Sequence, residues 1–421
     1  QEKIEIKSKS INIDEETIKL RKNTYIISIG KVAIKFAQSI SHKLNHKKII
    51  IITDEKYTKE EDIKNNQDKE ILISTHPYLS QNSISNTEKI INFLKCIDSE
   101  DTTIIFLISG GASSMFEYPI INPNLAIEIY KYLLKQELDI YQINTVRRFF
   151  SYVKGGKILQ YINKSQIISL IFSDVPSNDL ATIASGITFL KKQNIEEIQT
   201  VAEILKPLID HYTIHQTMRT NFDIYQKIET NNKNIQDIHH FILADNLLAT
   251  KKLQKILKEN KFQVINVSCH LKLKHHDLVN LFKWCILSNL ENEPNLVLLF
   301  GGETSIKIEK EGYGGRLQHL VLEILREIKN LENIIPQKLL KNKEIIFFAF
   351  ATDGIDGNTN KSGAIISNKI NISIDKIEKY LANFNSGLFF ENPKNQNYVI
   401  CIPPGINNLN EIYGVCISSG S

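Results

Sequence analysis

Short, fully apolar runs recur along this chain, and each ends at a turn rich in Gly, Ser or Asp. Residues 104–108 (IIFLI) precede Ser109-Gly110-Gly111, and residues 167–172 (IISLIF) precede Ser173-Asp174. A strand that is apolar at every position is buried on both faces, which is typical of a parallel sheet covered by helices on each side. Because the segments after these turns have helical periodicity, the sequence predicts an α/β fold.

Two series of strand–turn–helix units predict two domains. The first series starts with residues 24–29 (TYIISI), and the second starts with residues 241–244 (FILA). Between them, the polar segment 225–240 is the best candidate for a linker. We therefore expect an N-terminal domain of residues 1–235 and a C-terminal α/β domain of residues 236–421, each long enough to bury its own core.

Composition excludes several classes of protein. Hydrophobic residues make up 42% of the chain and charged residues 23%, as in a soluble globular protein. The net charge of +4 comes without a basic, aromatic-rich stripe, so we expect no nucleic-acid partner. No apolar run approaches the ~20 residues of a membrane span, and segment 1–10 has no signal-peptide core. These features predict a cytoplasmic protein; position 1 is Gln, which leaves open whether the N-terminus is complete.

The five cysteines are scattered along the chain and form no CxxC pair. An odd number with this spacing indicates neither a zinc site nor a disulfide framework. We expect reduced thiols that are mostly buried.

The turns after the apolar strands are the natural place for a ligand, because open α/β sheets bind ligands outside the carboxyl ends of their strands. Glycines let backbone N–H groups approach phosphate oxygens closely, and a following helix adds its positive end. Turns of this kind also serve as plain strand-to-helix connections, and the chain has no GxxxxGK[ST] motif. The candidate binding residues in such turns are Ser109, Gly110, Gly111, Ser113, Asp174, Gly302 and Glu303.

Two basic residues stand directly beside such glycines. Lys31 follows the strand at 24–29 and Gly30, where it either grips a phosphate or is merely exposed. Arg316 follows Gly315 and precedes a helical apolar face, so it lies in the first turn of a helix. A cation there opposes the helix dipole, and an anion between the guanidinium and the helix end would explain its position. The alternative is a solvated surface arginine.

Two further clusters have the residue types of a phosphate or magnesium site. Asn144, Arg147, Lys154, Gly155 and Gly156 form a basic, Gly-containing cluster, which is either an anion site or a charged helix end. In the segment TDGIDG (352–357), Asp353 and Asp356 could hold Mg²⁺ through their carboxylates. Asp-Gly pairs are also ordinary turn residues, so both interpretations stay open.

In chain order these segments resemble the MOFRL-type glycerate kinase family. The matching motifs cover about residues 24–418: IGKVA (29–33), THPY (75–78), SGGASS (109–114), NTVRRFFSYVKGGK (144–157), SDVPSNDLATIASGIT (173–188), GGET (301–304), GYGGRLQ (312–318), TDGIDGNTNKSGA (352–364), LANFNSGLFF (381–390) and PPGINNLNE (403–411). Each motif is modest by itself, but their number and order make the resemblance specific.

The resemblance implies an ATP- and Mg²⁺-dependent kinase that phosphorylates D-glycerate, usually to 2-phosphoglycerate. It implies a Rossmann-like N-terminal domain and a distinct α/β C-terminal domain with the site in the cleft between them. Lys31 and Arg316 match the family residues thought to act on the transferred phosphate. Asp353, with Asp174, would hold Mg²⁺ or accept the glycerate hydroxyl proton. The turn at 109–114 and the basic cluster at 144–157 would hold phosphates and the glycerate carboxylate.

The sequence departs from the family pattern inside several motifs, at Ala112, Ser177, Leu317, His319 and Ile402. At position 319 the family usually has Glu, which could hold the guanidinium of Arg316 one helical turn earlier. We therefore expect Arg316 to be poorly held and His319→Glu to raise activity. The alternatives are a weakly active or inactive homologue that only binds its ligands and, less favoured because no GxGxxG follows a strand, an oxidoreductase acting on hydroxypyruvate. The sequence leaves open the hydroxyl that is phosphorylated and the oligomeric state.

Overall fold

The computed structural model describes residues 4–13, 16–58, 69–175, 177–231, 237–291, 295–307, 310–340, 343–403 and 408–419. The chain forms two compact units, one of residues 1–173 and 178–243 and the other of residues 174–177 and 244–421. In the described ranges each unit contains a six-stranded sheet packed against helices. The predicted two-domain α/β fold is confirmed.

The first unit begins with three strands, and from residue 23 onward strands alternate with helices. Its strands are β1 (Ile4–Lys7), β2 (Ser10–Ile13), β3 (Glu16–Lys19), β4 (Asn23–Ile29), β5 (Lys48–Asp54), β6 (Glu70–Ser74), β7 (Thr102–Ile108), β8 (Gln166–Phe172) and β9 (Ile238–Ala244). Its helices are α1 (Ala33–Ser41), α2 (Gln81–Ile97), α3 (Ala112–Met115), α4 (Pro123–Leu133), α5 (Ile140–Phe149), α6 (Ile195–Leu205) and α7 (His211–Asn231). Strands β1–β3 form a separate antiparallel sheet.

The main sheet of the first unit has the strand order β6-β5-β4-β7-β8-β9. Strand β4 lies in the middle, parallel to β5 on one side and to β7 on the other. The chain therefore leaves β4 and β7 in opposite directions along the sheet, and a doubly wound sheet binds ligands at this switch point. Ile29 and Ile108 are in register at the carboxyl ends of β4 and β7, so the turns that follow them are neighbours.

The buried strands account for the predicted apolar runs. Every residue of β7 is buried, and so are the central residues of β4, β5 and β8. Helix α1 covers this sheet through an apolar stripe, and Phe36 on that stripe stacks against Phe172 with ring centroids 4.1 Å apart. This packing fixes where α1 begins, and therefore where the turn containing Lys31 lies.

The second unit also alternates strands and helices. Its strands are β10 (Gln263–Lys274), β11 (Leu296–Ser305), β12 (Lys343–Ala351), β13 (Gly363–Ser367), β14 (Val399–Ile400) and β15 (Glu411–Ser419). Its helices are α8 (Asn246–Glu259), α9 (His275–Ser288), α10 (Arg316–Glu332), α11 (Gln337–Leu340), α12 (Ile374–Leu381) and α13 (Ser386–Glu391). Helices α9, α10 and α12 share the main core of this unit with β11, β12 and β15.

The second sheet is mixed, in contrast to the parallel sheet that the apolar runs predict. Its order is β10-β11-β15-β12-β13-β14, and β10 pairs with β11 in parallel, whereas the other described pairs are antiparallel. Strand β15 inserts between β11 and β12 and runs against both. Both strands consequently point the same way, and their carboxyl ends flank Glu411, the first residue of β15, which is in register with Gly302 and Ala351.

Three details differ from the sequence prediction. Strand β9 pairs in the first sheet, so the division between the units falls near residue 243 and not at 235/236. Helix α7 extends to Asn231 and so includes the first part of the polar segment for which the sequence predicts a linker, and residues 232–236 of that segment lie outside the described residues. Of the five free thiols, Cys269 and Cys416 are buried, whereas Cys96 and Cys401 are exposed, so the thiols are not mostly buried.

Among the described residues, no helix is both long enough and apolar enough to cross a membrane.

Candidate active site

The turn after β4 and the turn after β7 are joined by backbone hydrogen bonds. The Lys31 amide donates to the Gly110 carbonyl at 2.9 Å, and the Ser109 amide donates to the Ile29 carbonyl at 3.0 Å. Gly30 has φ +123°, and a Cβ on it would lie 2.6 Å from the Ser109 carbonyl oxygen, so only glycine fits this contact. Within the described part of the chain, the amides of Gly110 and Gly111 have no hydrogen-bond partner. Two open donors therefore lie next to Lys31.

His76 lies against the same turn. Its Nδ1 is 3.1 Å from Oγ of Ser114, and its amide donates to Oδ2 of Asp54 at 2.6 Å. Burial, followed by the nearby positive charges of Lys31 and Arg147, lowers the pKa of His76 to about 4. His76 is consequently neutral at physiological pH, and both cations are close enough to influence it. The Lys31 ammonium also lies 5.9 Å from the ring centroid of Tyr57.

Arg147 is a buried cation that has no carboxylate partner in the described part of the chain. It is 8% exposed and its guanidinium lies 4.9 Å from the ring centroid of Tyr130. No acidic residue that the structure describes forms an ion pair with it, and its buried Nε has no hydrogen-bond partner there. Burial lowers the pKa of this guanidinium. Since a buried charge is costly unless it is paired, Arg147 has the properties expected of a residue that binds an anionic ligand.

The neighbouring basic residues are paired inside the protein. Lys154 is fully buried, and its Nζ donates to Oε2 of Glu117 at 2.6 Å and to the Phe116 carbonyl at 2.8 Å. Arg148 is 1% exposed and pairs with Glu197 at 3.2 Å. These contacts stabilise the fold. Lys154 and Arg148 therefore have internal partners, and Arg147 differs from them in this respect.

The other predicted members of this cluster also have internal partners. The amides of Gly155 and Gly156 donate to the carbonyls of Ser185 and Gly186 at 3.0 and 2.7 Å, so they do not face a ligand. Asn144 Oδ1 accepts a hydrogen bond from Ser185 at 2.8 Å, and the Ser185 hydroxyl lies 2.9 Å from that of Ser113. Asn144 is thus connected through Ser185 to Ser113 and helps to hold the turn at 109–114 in place.

In the second unit, Arg316 is the first residue of α10 and is held by two carboxylates. Its Nε donates to Oε1 of Glu411, which is 1% exposed, and its Nη2 lies 3.7 Å from Oε1 of Glu303. Burial by itself lowers the pKa of Arg316, but the carboxylates outweigh this effect and the pKa is raised overall. Burial raises the pKa of Glu411, and Arg316 partly offsets that rise. The hydroxyl of Tyr413 and the amide of Thr304 also donate to Glu411.

A cavity of about 350 Å³ lies at the N-terminus of α10. Its walls combine glycine backbone, hydroxyl groups and charged side chains. The lining residues that matter for the site are Glu303, Thr304, Gly314, Gly315, Arg316 and His319. Glu303 lies inside β11, which extends through Gly302 to Ser305 and does not end at Phe300 as the apolar run predicts. A Cβ on Gly302 would lie 2.0 Å from the Leu271 carbonyl oxygen, so Gly302 permits the close contact with β10.

Asp356 caps helix α10. Its two carboxylate oxygens accept hydrogen bonds from the amides of Leu317 and Gln318 at 3.0 and 2.8 Å. Burial raises the pKa of Asp356 to about 6, although the two amide hydrogen bonds act in the opposite direction. Gly315 has no side chain to cap the helix, and a Cβ there would collide with Asp356. The capping contacts account for the position of Asp356 without a metal ion.

Asn410 contacts both Asp174 and Thr352, the residue before Asp353. Asp353 follows β12, is partly exposed, and accepts a hydrogen bond from the Ile355 amide at 3.2 Å. Its neighbour Thr352 donates to the Asn410 carbonyl, and the Asn410 side chain donates to the Asp174 carbonyl at 2.9 Å. Asp353 therefore offers a carboxylate two residues beyond Ala351, the last residue of β12, which is in register with Glu411.

Comparison with known proteins identifies the family. Residues 1–220 match the family described as "Domain of unknown function (DUF4147)", and residues 296–411 match the MOFRL family. A glycerate 2-kinase from Sulfurisphaera tokodaii is 29% identical over 98% of this chain and 94% of its own length. A glycerate 2-kinase from Picrophilus torridus is 30% identical over 88% of this chain and 82% of its own length.

The chain belongs to the MOFRL-type glycerate kinase family. The fold agrees with this assignment: the crystal structure of a glycerate kinase from Thermotoga maritima superimposes with a TM-score of 0.76, with 22% identity, over 94% of this chain and 91% of that one. The resemblance found in the motifs is thereby confirmed.

The departures from the family pattern fit the structure locally. Ala112 is the buried first residue of α3, and Gly111 supplies the positive φ of +86° that precedes it. Leu317 is fully buried in the core of the second unit. Ser177 and Ile402 are also described, and the Ile402 amide donates to the Ser362 hydroxyl at 2.7 Å. Residues 404–407, which continue the altered terminal motif, lie outside the described residues.

The expectation that His319 leaves Arg316 poorly held is wrong. Arg316 is fixed by Glu411 and Glu303, and His319 packs elsewhere: its ring stacks on Phe384 with centroids 5.1 Å apart. Burial lowers the pKa of His319 to about 4. A Glu at position 319 would face Glu323, one helical turn further on, and so would not improve the position of Arg316.

The sequence reasoning missed three residues of this site. Glu411 stands at the end of the quoted motif PPGINNLNE, and His76 stands in THPY, but neither was given a role. Asp54 ends β5, the same kind of position that drew attention to the other turns. The signal for Asp54 and Glu411 is their position, since each is a polar residue at the end of a strand.

The buried ion pair of Lys154 yields the first prediction. We expect Lys154→Met to lower the free energy of unfolding by about 3–5 kcal/mol, because it leaves Glu117 charged and unpaired in the core. Lys154→Met combined with Glu117→Leu should recover most of the loss. Denaturant unfolding of purified variants measures both values. The matched control is Lys192→Met, whose exposed ion pair with Glu229 contributes less than about 1 kcal/mol. A stable but inactive Lys154→Met would instead indicate ligand binding.

Proposed function

We propose that this chain transfers the γ-phosphoryl group of ATP to D-glycerate, with Mg²⁺, to give 2-phosphoglycerate. The observation that carries the proposal is the anion-binding character of the turn after β7. There the open amides of Gly110 and Gly111 lie beside Lys31, close to the unpaired Arg147 and to a neutral His76. The names of the relatives supply the reaction, since the two described above are glycerate 2-kinases.

Phosphoryl transfer depends mainly on positioning and on charge stabilisation, because the transferred group carries its charge on three oxygens. Among the described residues the Lys31 ammonium forms no ion pair and lies near the Tyr57 ring, and Gly110 and Gly111 add two N–H donors. We assign these groups to phosphate oxygens. They are fixed by the register of β4 and β7, so they need little rearrangement when the ligand binds.

Arg147 is suited to the carboxylate of glycerate. A planar guanidinium can donate two parallel hydrogen bonds to a carboxylate, and the Tyr130 ring holds the plane of Arg147 in place. Its charge is buried and has no ion-pair partner among the described residues, so a bound carboxylate would supply the missing opposite charge.

Arg316 and Asp353 supply the groups of the second unit. Arg316 is assigned to the transferred phosphate, and Glu411 is a positioning residue because it holds Nε of Arg316 from the buried side. The other guanidinium nitrogens face the cavity and Glu303. Asp353 would hold Mg²⁺ or accept the proton of the glycerate hydroxyl; when bound, the ion neutralises charge on phosphate oxygens.

The central prediction is ADP formation that requires both D-glycerate and Mg²⁺. The purified chain is mixed with ATP, and ADP is measured with and without glycerate. Adding enolase without phosphoglycerate mutase identifies the product, since enolase consumes 2-phosphoglycerate directly. Folded protein, shown by a cooperative melt, that forms no more ADP with glycerate than without it would instead be a non-catalytic homologue. Oxidation of NADH by hydroxypyruvate would favour the oxidoreductase alternative.

The adjacent pair Arg147 and Arg148 gives an internal comparison. Arg147→Met should lower kcat/KM by about two orders of magnitude, because a buried carboxylate–guanidinium contact is lost. Its free energy of unfolding should stay within about 1 kcal/mol of wild type, since no internal ion pair is broken.

Arg148→Met should behave in the opposite way. It removes the partner of Glu197 and should lower the free energy of unfolding by about 3–5 kcal/mol. Steady-state kinetics measures kcat/KM of both variants, and denaturant unfolding measures their free energies of unfolding. Equal loss of stability in the two variants would place Arg147 in the framework and not in the ligand site.

Arg316→Ala should lower kcat by about three orders of magnitude, because the guanidinium stabilises charge that develops in the transition state. Thermal stability should also fall modestly, since Glu411 loses its partner. The control is Arg326→Ala on the same helix, whose ion pairs with Glu323 and Glu327 are partly exposed. Activity within tenfold of wild type in Arg316→Ala would show that the residue only compensates the charge of Glu411.

A further inference from the structure

Three metal-binding side chains meet beside the cavity of the second unit. They are His275, His319 and Glu323, and their ligand atoms all lie within 4.8 Å of one another. We propose that these residues bind a divalent transition-metal ion of the Zn²⁺ type, with a further coordination position open to the cavity. The proposal goes beyond the kinase reaction and does not depend on it.

The helices bring these three side chains together. His319 and Glu323 are four residues apart on α10, so they lie on one face, one turn from each other. His275 is the first residue of α9, and its Nε2 lies 2.7 Å from Oε2 of Glu323. The rings of His275 and His319 have centroids 5.4 Å apart. Two histidines and a carboxylate therefore converge from two adjacent helices.

The imidazoles are buried but poorly satisfied. His275 is 8% exposed and His319 is 7% exposed. Nε2 of His275 contacts Glu323, but within the described ranges Nδ1 of His275 and Nδ1 of His319 have no hydrogen-bond partner. Buried polar atoms are nearly always paired, so two unpaired imidazole nitrogens in one cluster require an explanation. Coordination of a metal ion supplies one.

The ligand set favours zinc-type ions over Mg²⁺. Two imidazoles and one carboxylate, with a fourth position left open, form a common zinc arrangement, whereas Mg²⁺ prefers oxygen ligands. Ligand atoms at the corners of a tetrahedral site are roughly 3.3 Å apart for bonds of ~2.0–2.1 Å. The ligand atoms of the cluster lie within 4.8 Å of one another, so they would have to approach by at most about 1.5 Å to reach this spacing.

The position of His319 connects the metal site to the cavity. His319 lines the cavity together with Arg316, one helical turn earlier, and its ring is held by stacking on Phe384. Phe384 also lines the cavity. The open coordination position is therefore accessible to water or to a small anionic ligand. The ion would add positive charge beside Arg316.

The test is metal binding by the full chain, freed of metal with a chelator that is then removed. Zn²⁺ is titrated in competition with a chromophoric chelator. Wild type should bind one tight equivalent, and His275→Gln and His319→Gln should each weaken that site by at least about tenfold. The matched control is His276→Gln: His276 is next to His275, but it is exposed and contacts Asn280. Its substitution should leave the tight site unchanged.

Two further measurements keep the test decisive. Zn²⁺ should raise the melting temperature of wild type and of His276→Gln but not that of the two ligand variants, whose metal-free melts show whether they fold. X-ray absorption should show a shell of nitrogen and oxygen at about 2.0–2.1 Å. The proposal is overturned if no tight equivalent binds, or if folded His275→Gln and His319→Gln bind as tightly as wild type.

Discussion

A buried charge requires an opposite charge or strong hydrogen bonds, and this constraint determines the role of each basic residue here. Lys154 meets it through Glu117 and a carbonyl, and Arg148 meets it through Glu197. The buried carboxylate of Glu411 meets it through Arg316, whose own side chain is partly exposed. Arg147 does not meet it with any residue that the structure describes, and that difference is the ground on which we propose that it binds an anionic ligand.

The first unit was largely predictable because its signals are local. An apolar run followed by glycine predicts a buried strand and its turn, and the parallel order then brings the carboxyl ends of β4 and β7 together. The proximity of Lys31 to Ser109-Gly110-Gly111 follows from that topology. The sequence could not show which basic residues at 144–157 are paired inside the protein. Their partners, Glu117 and Glu197, are distant in the sequence.

The second unit was predicted less well because its sheet is organised by its last strand. β15 inserts between β11 and β12, so the antiparallel pairs could not be inferred from the order of apolar runs. The same insertion buries Glu411 beside Arg316 and so determines how the arginine is held. His319 was misread for a related reason: a spacing of three residues on a helix allows contact, but packing against Phe384 and His275 turns its ring to another neighbour.

The two units present different chemistry to an anion. In the first unit, backbone amides at a strand end remain open, so glycine geometry and a lysine act together. In the second unit, Asp356 already accepts the amides of Leu317 and Gln318. Those helix amides are therefore unavailable to a phosphate, and a negative charge at the helix end already compensates its dipole. An anion at α10 would therefore depend on the guanidinium of Arg316, and the buried carboxylate of Glu411 fixes the position of that side chain.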